Sequence, residues 1–64
     1  MGRWLIIIGL CIDGLQKPER HVPIEARHPI GAVRKAIPVA CKLNHVPQRS
    51  DRISAITITT RRIS

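Results

Sequence analysis

Five prolines, Pro18, Pro23, Pro29, Pro38 and Pro47, punctuate a 64-residue chain at intervals of five to nine residues. Each removes a backbone donor and pushes the residue before it toward extended backbone. No helix longer than about two turns is expected between them, so regular structure should be mostly strand.

The first segment clear of proline, Trp4 to Ile12, is also the only unbroken apolar run. Its three consecutive isoleucines lose rotamer freedom in a helix and favour a strand over 4–12. Nine residues fall well short of the roughly 20 that a membrane-spanning helix needs. They would fit the apolar stretch of a secretory signal, but no pair of small residues stands at cleavage spacing before Gln16, and a cytoplasmic location is favoured. Asp13-Gly14 marks a turn, since both residues tolerate positive φ. Residues 16–29 read as a proline-rich, basic linker. Ile30 to Ile37 reads as a short helix, opened by Pro29 and closed by Pro38, with Ile30, Val33 and Ile37 on its buried face. Val39 to Leu43 reads as a short strand and Asn44 to Asp51 as a loop. Arg52 to Thr60 is the clearest strand, because Ile56 and Ile58 alternate with Thr57 and Thr59. Its apolar face must be buried, and the 4–12 strand at the other end of the chain is the natural cover, antiparallel pairing being open to it.

These readings give one small α+β domain over residues 1–64. It is strand-dominated, with one short helix and extensive proline-rich irregular structure, and ordering only on a partner is an option. Such a chain struggles to build a core. Eleven isoleucines and a single aromatic residue, Trp4, make any core aliphatic and small.

Eleven Lys and Arg against four Asp and Glu give a formal charge of +7, which favours an anionic partner. Arg20, Arg27, Arg34, Lys35, Lys42, Arg49, Arg52, Arg61 and Arg62 are the candidate polyanion-binding residues. Arginine forks match phosphate oxygens. The missing Phe and Tyr withhold the side chains that usually stack on bases.

Cys11 and Cys41 are too few for a secreted disulfide scaffold and read as reduced, partly buried thiols. Together with His21, His28 and His45 they could furnish a tetrahedral metal, but only Cys41-x3-His45 has ligand-like spacing. No metal and no cofactor is expected. Asp13, Glu19, Glu25 and Asp51 are scattered and mostly beside basic residues. Gly2, Gly9, Gly14 and Gly31 form no phosphate loop. No catalytic residue is expected, and the chain should not be an enzyme.

The reading that follows is a small basic protein contacting RNA phosphates, as a ribonucleoprotein accessory within a larger assembly. A second reading is a membrane-peripheral peptide, with Trp4, Leu5, Ile6, Ile7 and Ile8 dipping into an anionic interface. A third is an interaction subunit whose N-terminal strand extends a partner's sheet. The bias toward Ile also fits a short reading frame without selected function.

Overall fold

The computed structural model describes residues 2–63. They form a small α+β fold in the order β1 (Gly2–Ile12), β2 (Leu15–Gln16), β3 (Arg20–Ala26), α1 (Pro29–Leu43) and β4 (Ile53–Arg62). β1 is the centre of an antiparallel sheet. It pairs with β3 from Gly2↔Ala26 to Ile8↔Arg20 along one edge, and with β4 from Trp4↔Arg62 to Ile12↔Ile53 along the other. β2 continues the β3 edge, with Ile12 opposite Leu15. β3 and β4 therefore run parallel on either side of β1, and α1 carries the chain across between them as a split β-α-β unit.

The expected turn closes the first hairpin. Asp13 (φ 53°) and Gly14 (φ 79°) both take the positive values that a two-residue hairpin loop demands. A bulge follows. Leu10 accepts a bond from Lys17 and Ile8 pairs with Arg20, so Pro18 and Glu19 together face Gly9. Gly9 is hemmed in from both neighbours. A Cβ there would lie 3.1 Å from the Thr57 hydroxyl and 3.2 Å from the Gln16 amide.

The core lies between one face of the sheet and α1. Ile6, Ile8, Leu10 and Ile12 alternate along β1 and are at most 2% exposed. Val22 and Ala26 extend this face on β3, and Ala32, Ala36, Ala40 and Cys41 meet it from the helix. Alanines at i, i+4 and i+8 form a smooth stripe that lets the helix lie close to the isoleucines.

Three sequence expectations are corrected here. The 16–29 segment is not a linker: β2 and β3 occupy most of it. The helix does not stop at Ile37 but runs 15 residues to Leu43, with Pro38 inside it and no strand over 39–43. Pro38 is exposed, so the carbonyl of Arg34 that loses its partner lies where water can replace it. The buried stripe is alanine, whereas Ile30 is 68% exposed and Val33 and Ile37 are partly buried.

The helix ends in a Schellman motif. The N–H of Val46 donates to the carbonyl of Cys41 (3.0 Å) and that of His45 to Lys42 (3.1 Å), with His45 at φ 57°. Val46 and Cys41 are both buried, the apolar contact this motif favours.

β4 is where the expectation was half met. It pairs antiparallel with β1 as the alternation implied. Yet Ile56 and Ile58 remain 43% and 39% exposed, because α1 packs over β1 and β3 and barely reaches β4.

Candidate nucleic-acid interface

The basic residues do not form one patch. Arg52 is committed: its Nη2 and Nε lie 2.8 and 2.9 Å from Oδ2 of Asp13, and that hydrogen bond, then the carboxylate's charge, raises the Arg52 pKa further. Arg20 opens β3 on the helix side of the sheet, half-buried, with its Nε enclosed. Arg61 and Arg62 end β4. Arg62 sits over the Trp4 ring at 5.6 Å, a cation–π contact, while Trp4 donates through Nε1 to the carbonyl of Ala26 (3.0 Å).

The remaining five belong together. Between Glu25 and Asp51 the chain carries Arg27, Arg34, Lys35, Lys42 and Arg49 and no acidic residue. Arg34 projects from the side of α1 opposite the alanine stripe and Lys35 and Lys42 from one flank, the three within about 100° of one another at 3.6 residues per turn. Arg27 precedes the helix and Arg49 lies in the loop that follows it, so the cations extend along its length of roughly 22 Å. All five are exposed. Lys35 donates to the carbonyl of Glu25 (3.1 Å), which leaves two of its three ammonium protons outward. No carboxylate stands in the first turn of α1, so the positive end of its dipole adds to Arg27. The acid-free stretch is readable in the sequence, but bringing Lys42 to the same side as Arg34 and Lys35 required knowing that the helix continues past Pro38.

Residues weighed for other roles are placed as follows. Ile6 and Ile8 point into the core, whereas Leu5 and Ile7 lie half-buried on the sheet face that no helix covers. β1 has both edges paired, so it cannot add to a partner's sheet. Cys11 lies on the uncovered face and Cys41 is in the core under the helix, where burial pushes its thiol pKa up. His45 is the left-handed residue of the helix cap. Among the described residues no three metal-ligating side chains converge. A shallow groove of about 310 Å³ runs past Arg3, Pro23, Ile24, Glu25 and Ile63, but its charges pair with each other (Arg3 to Glu25, 3.4 Å). No helix among the described residues is long and apolar enough to cross a membrane. No known protein family, curated protein or solved structure matches the chain.

Proposed function

We propose that the protein is a non-enzymatic RNA-binding module that contacts phosphates through the outer face of α1 and its flanking loops. The observation that carries this reading is the acid-free run of five exposed cations, Arg34, Lys35 and Lys42 on α1 with Arg27 just before it and Arg49 in the loop after it. Elsewhere, arginines such as Arg3 and Arg52 are matched to carboxylates. Two of the four carboxylates, Asp13 and Glu25, are thereby used in surface pairing. With one aromatic residue in the chain, base stacking contributes little, and binding should follow phosphate density more than sequence.

Counterion release supplies the test. Five phosphate contacts give a slope of log K against log salt of roughly −3.5 to −4.5. Replacing Arg34, Lys35 and Lys42 together with Gln should flatten that slope by roughly 2 to 3 and weaken unrelated RNA sequences alike. A salt-independent affinity, or a triple variant that binds as tightly as the parent, overturns the reading.

A further inference from the structure

We infer that β4 is a self-pairing edge: two copies of this chain join antiparallel through it, on a twofold axis at Thr57, making one continuous sheet. This is independent of what the helix face binds.

The two edges of the sheet are built differently. Lys17 N–H donates to Leu10 and Ile63 N–H to Arg3 (both 2.8 Å), so even residues of β1 bond toward the β3 side and odd ones toward β4. By alternation, His21, Pro23 and Glu25 are the residues of β3 whose backbone groups point outward. Pro23 has no donor to offer, and the carbonyl of Glu25 is taken by Lys35. That edge is blunted at its centre and at its far end. On β4 the outward residues are Ile56, Ile58, Thr60 and Arg62. From Ile53 to Thr60 this strand has no charge, proline or glycine, and it is rich in β-branched side chains. Protected edges normally carry such breakers.

Two features name a second copy as the occupant. The first is apolar. With the axis at Thr57, Ile56 of each copy lies opposite Ile58 of the other as a hydrogen-bonded pair, and the four isoleucines make one cluster. An antiparallel pair related by a twofold keeps both helices on the same side of the sheet, so this cluster covers the surface α1 fails to reach. The second is charge. Asp51 and the Asp13–Arg52 pair stand where β4 begins, and Arg61 and Arg62 stand where it ends. Antiparallel self-pairing sets Arg61 of each copy opposite Ile53 of the other, within diagonal reach of Asp51, while Arg52, which then faces Arg62, is neutralised by its own Asp13. The basic outer faces of the two helices stay away from the axis, since α1 lies over β1 and β3.

Sedimentation equilibrium of the full chain should give twice the 7.2 kDa of one copy. Arg61→Asp should shift it to monomer, and the double variant Asp51→Arg/Arg61→Asp should recover the dimer. Register is read by cross-linking in a Cys11→Ser background. Opposed Cα atoms of a non-hydrogen-bonded pair lie about 4.5 Å apart, within disulfide reach. Thr57→Cys should therefore oxidise to a linked dimer, while Thr59→Cys, facing Ala55 of the second copy, should not. A monomer at every concentration, failure of the charge-swapped pair to recover the dimer, or absence of the Thr57→Cys link overturns the proposal.

Discussion

His45 holds a left-handed backbone that costs an L residue other than glycine about 1–2 kcal/mol. It does so because the Schellman motif needs positive φ there, and the reward is the seating of Val46 against Cys41. His45→Gly should raise stability by about 1 kcal/mol, or a melting shift of roughly 4–8 °C, measured by circular dichroism. The cysteines differ in the same local way. Cys11 lies half-buried on the uncovered face, whereas Cys41 is 2% exposed beneath α1 with a raised thiol pKa. Iodoacetamide should modify Cys11 first and reach Cys41 only as the chain opens. The sign of the linkage follows: the folded state holds the Cys41 proton more tightly than the unfolded state. Its contribution is intact below the unfolded thiol value near 9.0 and is lost as pH rises above it. Thermal melts should then show an added loss of stability above about pH 9 that Cys41→Ala lacks.

Pro38 is tolerated within α1 because it faces water and the alanine stripe packs on either side of it. Pro38→Ala restores the bond to the Arg34 carbonyl. The intrinsic gain of about 3 kcal/mol in a helix interior is offset by about 1 kcal/mol of added freedom in the unfolded chain. A net rise of roughly 1–2 kcal/mol in urea unfolding is expected. At this scale the limits of the sequence are plain. The isoleucine run of β1, the alternation of β4, their antiparallel pairing and the Asp13–Gly14 turn all follow from local preferences that tertiary contacts reinforce. The segments misread, β3 and the second half of α1, both contain a proline. Its cost depends on what the missing N–H would have met and on whether water can stand in for it. For Pro23 the N–H would have pointed out from the sheet edge, and for Pro38 the Arg34 carbonyl it leaves unpaired lies on the exposed side of the helix; both placements are set by strands and packing far along the chain. The grouping of the basic residues depends on the fold in the same way. Nine cations were legible as residues, but which one is paired (Arg52), which is half-buried (Arg20), which end β4 (Arg61 and Arg62) and which lie exposed on or beside α1 follows from the fold.

In the whole molecule the sheet is covered on one face only, and the helix is offset toward β3. The cations on α1, the bare edge of β4 and the uncovered face with Leu5 and Ile7 are consequently three separate surfaces, and a change in one should leave the others intact. The place of β1 at the centre of the sheet carries a further consequence, for the making of the chain. β1 is synthesised before every other element, yet its second edge is closed only by β4, the last strand. While β3 and α1 are already able to dock, half of the most apolar strand still lacks a neighbour. Pairing across such sequence separation is slow, because loop closure must precede the contacts that reward it. A nascent or truncated chain lacking β4 would present an open isoleucine-rich strand to whatever lies nearby, the circumstance in which chaperone capture or aggregation competes with folding.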